Sequence, residues 1–127
     1  MAHRAVVPTG SAPPIAPYSP AIDTGQFVFV AGQIGSDPIT GQLAEGGIEA
    51  QAEQVMRNLS TVLDAAGLTL ANVVKTTCFL IDMKDFDAFN GVYARHVVDP
   101  RPARSTFAVA ELPRGARIEV EAIAFRG

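Results

Sequence analysis

The last quarter of the chain, Arg101 to Phe125, constrains the fold more than any other stretch. It reads R-P-A-R-S-T-F-A-V-A-E-L-P-R-G-A-R-I-E-V-E-A-I-A-F. Ser105, Phe107 and Val109 alternate with Arg104, Thr106 and Ala108. After Leu112-Pro113-Arg114-Gly115, Ile118 and Val120 alternate with Arg117, Glu119 and Glu121. Successive side chains on a strand point to opposite faces, so each run predicts a half-buried strand, and Pro-x-Gly predicts the turn between them. If the two strands pair directly, with Ala110 opposite Arg117, Arg104 and Glu119 project from the same face. Set among Ser105, Thr106, Val120 and Ala122, they would then form the wall of a pocket. A surface hairpin that shows its charges to solvent accounts for the same letters.

Length and composition bound what can precede this ending. At 127 residues the chain is expected to form one domain, 1–127, with room for a single core. Hydrophobic residues make up 48% and charged residues 18%, an ordinary balance for a globular protein. No run reaches the length of a membrane span, and the amino terminus has no signal-peptide pattern. A single cysteine leaves no internal disulfide and fits a reducing compartment, so the cytoplasm is the expected location. The net charge of −3 argues against a dedicated nucleic-acid surface. Six of the ten basic residues are arginines from Arg95 onward, which favours an anion at that end without making a polybasic patch.

Residues 1–17 carry Pro8, Pro13, Pro14 and Pro17, which predicts an extended arm without helix. Thr24-Gly25 reads as a turn between a strand ending at Asp23 and a buried strand over Phe27 to Ala31. Gly32 and Gly35 close that strand. A glycine there marks either close approach of backbone or ligand, or a bulge. Asp37 to Gly47 reads as a loop. The clearest helix follows, where Ile48, Ala52, Val55, Leu59, Val62 and Ala66 recur at steps of four and three. Met56 and Leu63 widen this packing stripe, Glu45, Glu49 and Glu53 suit the positive end of the dipole, and Gly67 is the stop.

Val73 to Ile81 is β-branched and predicts a central strand. Cys78 within it reads as a buried structural thiol, with no cationic neighbour in sequence to activate it. Asp82 reads as the N-cap of a second helix, with Asp85 three residues on and Phe86, Phe89 and Tyr93 along one face. Asn90 beside them is a poor helix former and an odd choice for mere exposure. His3 and His96 lie far apart with no cluster of carboxylates or thiols, so no metal site is expected. No phosphate loop, dinucleotide fingerprint, serine elbow or internal repeat occurs. The element order is strand, strand, helix, strand, helix, strand, strand, which predicts an α+β architecture with two helices on one face of a mixed sheet. The other face lacks a cover within the chain, and oligomerisation would supply one.

Several stretches resemble the RidA family of reactive-intermediate (imine) deaminases. They are P-A-R-S, V-A-x-L-P-x-G-A and I-E-V-E-A-I-A near the carboxy end, A-P-Y-S-P-A and F-V-F-V-A-G-Q-I upstream, and D-F-x-x-F-N-x-V-Y in the second helix. The likeness extends over nearly all of residues 14–125. It implies a chorismate-mutase-like fold assembled as a homotrimer, with active sites in clefts between subunits. It also implies hydrolysis of 2-aminoacrylate-type enamines and 2-imino acids, shed by pyridoxal-phosphate enzymes acting on serine or threonine, to 2-oxo acids and ammonia. No cofactor is implied, because an imine carbon is already electrophilic once its nitrogen is protonated.

By motif position, Arg104 would clamp the substrate carboxylate through its planar fork, and Glu119 would orient or activate water and shuttle protons. Tyr18, Gly32 and Asn90 would line the cleft, with Phe89 close by and backbone groups near Thr106 against the reacting end. Thr106 stands where many members carry cysteine, which excludes a thiol role there, and Ala31 stands where many carry serine. Both departures bear on substrate preference. Two other classes remain: a non-catalytic trimer that binds small molecules or acts like a chaperone, and an endoribonuclease. Retention of both Arg104 and Glu119 argues against the first. The acidic balance and the lack of a histidine pair argue against the second.

Overall fold

A computed structural model describes residues 2–11 and 14–127; Pro13 of the expected arm lies outside the described residues. Six strands and two α-helices follow one another in the order β1 (Arg4–Val6), β2 (Ala21–Asp23), β3 (Phe27–Ile34), α1 (Gly47–Ala65), β4 (Val73–Leu80), α2 (Phe86–His96), β5 (Ala103–Ala108) and β6 (Ile118–Phe125). The strands form one sheet in the order β1-β2-β3-β6-β4-β5. Every neighbouring pair is antiparallel except β4 and β5, which run parallel. The expected mixed sheet is present, with one more strand than the sequence pattern gives. That strand, β1, lies in the arm and pairs with β2.

The two terminal strands do not form a hairpin. β4 lies between them, with β5 at the sheet edge. The helix α2 carries the chain from β4 back to a parallel neighbour, the ordinary consequence of a strand–helix–strand crossover. The segment from Val109 to Arg117 then passes the end of β4. Val109 N–H donates to the Leu80 carbonyl (2.8 Å), and Ile81 N–H donates to that of Arg117 (3.2 Å).

The helix α1 buries the expected stripe of Ala52, Val55, Met56, Leu59, Val62 and Leu63, and Gly67 ends it with φ 76°. Of the three glutamates assigned to its dipole, Glu49 stands in the first turn, but Glu53 turns away to His96 of α2, whose Nε2 lies 2.9 Å from its carboxylate. Two buried polar residues of α1 hold strand ends. Asn58 donates from Nδ2 to the carbonyls of Ile34 (3.0 Å) and Ser36 (2.8 Å), and Gln51 Oε1 accepts from the Arg117 N–H (2.9 Å). Asp82 caps a short 3₁₀ turn, Met83–Asp85, rather than α2 itself. Asp85 is drawn off by Arg117, whose guanidinium meets both its carboxylate oxygens at 2.8 and 3.0 Å.

One sheet face packs against both helices, burying Val28, Val30, Cys78, Leu80, Ile118, Val120, Ala122 and Ala124. No helix among the described residues is long and apolar enough to cross a membrane. The other sheet face carries Phe27, Phe29 and Phe125 at one end and Phe79 with Phe107 at the other. Ring centroids are 5.2 Å apart for Phe27 and Phe125 and 5.3 Å for Phe79 and Phe107. Phe29 and Phe107 are each 46% exposed. At the sheet's β2 side, the buried Asp23 carboxylate receives Arg4 (2.9 Å) and Arg126 (2.6 Å) on one oxygen and the Gly25 N–H on the other (2.8 Å). These contacts, the backbone donor foremost, hold its pKa below the ordinary carboxylate value.

Candidate active site

Parallel pairing sets Arg104 beside Thr76 and Thr106 beside Cys78. Paired residues share a face, so Arg104 and Thr106 turn toward the helices. There the Arg104 guanidinium carbon lies 4.9 Å from the ring centre of Tyr93, 5.5 Å from that of Phe86 and 5.6 Å from that of Phe89. Aromatic ring faces are electron-rich and attract a cation without neutralising it. Among the described residues no carboxylate lies within ion-pair distance of Arg104. A cleft of about 300 Å³ opens beside it, lined by Asn90, Tyr93, Arg101 and Arg104 among others. Asn90 Oδ1 and Thr106 Oγ1 are both buried without a hydrogen-bond partner. Buried polar atoms are nearly always paired, so two unpaired oxygens around one arginine mark ground prepared for a ligand or water.

Phe89 is completely buried. It lies beneath the guanidinium, close to the cleft without being among the residues that line it. Cys78 is a buried free thiol, as expected, and burial pushes its pKa up. It nevertheless neighbours the site through Thr106.

The second cluster forms on the other side of the sheet. Ile118 and Val120 point into the core, so Glu119 between them points away from the helices. It pairs with Phe79 of β4 and Ile34 of β3. Gly32 lies alongside, within a bulge that takes β3 from Val30 opposite Ala122 to Gln33 opposite Val120. A Cβ on Gly32 would overlap the Glu119 carboxylate. The sequence left open a bulge or a close approach of backbone or ligand at this glycine; the bulge is present, and what comes close is the Glu119 side chain. Partial burial, with Glu121 nearby as a smaller cause, raises the Glu119 pKa. Glu119 borders a cavity of about 590 Å³ with Tyr18, Gly32, Ile15, Ile39 and Arg114. Tyr18 is 57% exposed. Arg114, at φ 59°, donates from Nη1 to the Gly41 carbonyl (2.9 Å) and fastens the Asp37–Gly41 loop at the cavity rim.

The expected site residues therefore divide. Arg104, Asn90, Thr106 and Phe89 gather on the helix side of the sheet, and Tyr18, Gly32 and Glu119 gather on the other. The common face expected for Arg104 and Glu119 is overturned, because it required β5 and β6 to be direct neighbours. Sequence reasoning missed Phe86 and Tyr93 as part of the arginine's surroundings. Their spacing with Phe89 revealed a common helix face but not what that face would meet. Arg114 left no mark beyond its place in the turn.

The family model described as Endoribonuclease L-PSP matches residues 9–126. The chain belongs to that family, the one to which the RidA resemblance pointed. Its relatives include a mouse protein named 2-iminobutanoate/2-iminopropanoate deaminase, 46% identical over 98% of this chain and 93% of its own length. A solved RidA from the Antarctic bacterium Psychrobacter is 41% identical, with a TM-score of 0.90 over 96% of this chain and 99% of its own. TdcF of E. coli, solved with bound serine, is 34% identical with a TM-score of 0.91 over 98% and 99%. This chain thus shares the fold of both solved relatives, and the strand order β3-β6-β4-β5 that separates Arg104 from Glu119 is its version of that fold.

Proposed function

We propose that this chain is an imine deaminase, converting 2-imino acids and their enamine tautomers to 2-oxo acids and ammonia, at sites built between subunits of a homotrimer. The observation that carries the reading is Arg104, a partly buried guanidinium that no carboxylate among the described residues occupies. Such a group suits a substrate carboxylate, which it can grip through two parallel hydrogen bonds. The mouse relative's name supplies the reaction class. The serine in the E. coli relative is an α-amino carboxylate, close in shape to a 2-imino acid.

The chemistry needs one water and a group able to move protons. With the carboxylate on Arg104 and the imine nitrogen protonated, water adds to the C=N carbon and the C=N π electrons move to nitrogen. The Glu119 carboxylate accepts the proton that the water loses as its C–O bond forms. It then returns that proton to the nitrogen of the tetrahedral adduct. The C–N bond breaks, ammonia leaves, and the hydroxyl proton is lost as the 2-oxo acid forms. A carboxyl group with a raised pKa is well matched to receiving and returning a proton near neutrality. The substrate would come from pyridoxal-phosphate enzymes that release enamines from hydroxy-amino acids.

Arg104 and Glu119 face opposite sides of one sheet, which supports a site completed by a second copy. The exposed phenylalanines on the open face give that copy an apolar surface to cover. Imine generated by an amino-acid oxidase should decay faster with the protein present. Co-expressed Arg104→Ala and Glu119→Ala chains test the sharing. Each alone is expected to be inactive, but each mixed trimer should regain activity at one of its three interfaces. No recovery in confirmed mixed trimers would overturn the shared site, and undiminished imine lifetime with wild type would overturn the activity.

A further inference from the structure

We infer that Tyr93 is the positioning residue for Arg104, acting through the face of its ring. The inference rests on the proposed role of Arg104. Of the three rings around the guanidinium, that of Tyr93 is nearest, at 4.9 Å. It is also the only one of the three with a polar anchor. Its hydroxyl lies 2.7 Å from Thr76 Oγ1, and Thr76 is the β4 residue paired with Arg104 itself. The helix residue and the strand residue are thereby tied to the same point of β4. Tyr93 also packs against Phe89, with ring centroids 5.4 Å apart.

This support differs from the usual way of fixing an arginine. A carboxylate partner would orient the fork but occupy its donors and cancel its charge. Ring faces hold the guanidinium by its flat side and leave the N–H groups at its edge available. Tyr93 also borders the cleft beside Arg104, so a looser ring would let the fork swing within the space the substrate must enter. The ring fixes the orientation of the carboxylate clamp, and the Thr76 contact fixes the ring.

Three variants with the imine assay test this. Tyr93→Phe keeps the ring but removes its Thr76 anchor, and should raise KM by about two- to threefold, well short of the loss in the ringless variants. Tyr93→Leu removes the ring and should raise KM about tenfold, with a smaller fall in kcat, per folded trimer. Tyr93→Met, unbranched and flexible enough to fill the space, should behave like Tyr93→Leu and serves if that variant fails to fold. Arg104→Lys should lose little more when combined with Tyr93→Leu than it loses alone, because the two act as one unit. A purely structural role for Tyr93 would lower the melting temperature and leave KM unchanged. A wild-type KM in a folded ringless variant, with Arg104→Lys still impaired, would overturn the inference and leave the active-site reading intact. Impairment of Tyr93→Phe equal to that of Tyr93→Leu would overturn it too, by placing the effect in the hydroxyl. Normal turnover in Arg104→Lys would instead bring down the reading on which it rests.

Discussion

The two halves of the proposed site are built by opposite means. Around Arg104 everything comes from regular elements: three rings from α2 and its first turn, Thr76 from β4, and the arginine itself from β5. Around Glu119 the carboxylate and Gly32 stand on strands, but the rim is loop and arm: Tyr18, Ile15, Ile39 and Arg114. The first half is a finished seat for a fixed charge. The second is the proposed proton carrier in a wide, partly open cavity whose walls are mostly loop and arm. Rigidity is invested where orientation matters, and adjustable surface is placed where substrates would differ.

Removing the proton carrier should have the largest effect. Glu119→Gln keeps shape and most hydrogen bonding, and kcat is expected to fall by about 10²-fold or more with KM little changed. The wild-type rate should rise with pH through a value above that of an ordinary glutamate, because the active form is the ionised one. Stability runs the other way. Between the unfolded and the raised folded pKa the native state binds more protons, so the contribution of Glu119 to stability falls as pH rises through that window. At neutral pH the Glu119→Gln variant should therefore melt above wild type. A lower melting temperature together with unchanged kcat would remove Glu119 from the chemistry.

Arg104→Lys should come next, with kcat/KM down on the order of ten- to a hundred-fold and both kinetic constants affected, because a monodentate ammonium keeps charge but not orientation. Equal losses in KM alone for both variants would erase the distinction between seat and proton carrier. Gly32→Ala sharpens the second half. The added Cβ must displace the Glu119 carboxylate, and kcat should drop about tenfold while KM stays near wild type. Cys78→Ala is the smallest change, with about 1 kcal/mol or somewhat more lost in denaturant melts and activity per folded trimer unchanged. A collapse of activity there would show that the neighbour of Thr106 takes part in turnover.

The elements that sequence made legible are those whose evidence is local. Periodicity alone located α1 and its buried Ala52, Val55, Leu59 and Val62, and β-branched content located β4. Both depend only on how one face of an element meets an apolar interior. Pairing could not be read in that way. The alternation in β5 and β6 fits a hairpin as well as two strands separated by β4, and only the crossover through α2 decides between them. The faces of Arg104 and Glu119 followed the pairing, so the common face, conditional on a direct pairing, failed with it. Phe89 was placed near the arginine by its motif, but whether it met substrate or guanidinium depended on burial. Nothing local marked Gln51 and Asn58, because their partners are backbone groups of distant strand ends.

The Asp23 carboxylate has a consequence for the chain as a thread. One oxygen receives both Arg4 and Arg126, residues separated by nearly the whole sequence. The contour is thus almost a closed ring, clasped at a single atom. A linker from Arg126 back to Arg4 would close that ring at a modest cost in closure entropy. The ring could then be reopened in an exposed turn such as that at Gly67, leaving both halves of the site on uncut segments. A permuted chain made in this way would start and finish at that turn and carry the clasp in its interior, with the sheet order unchanged.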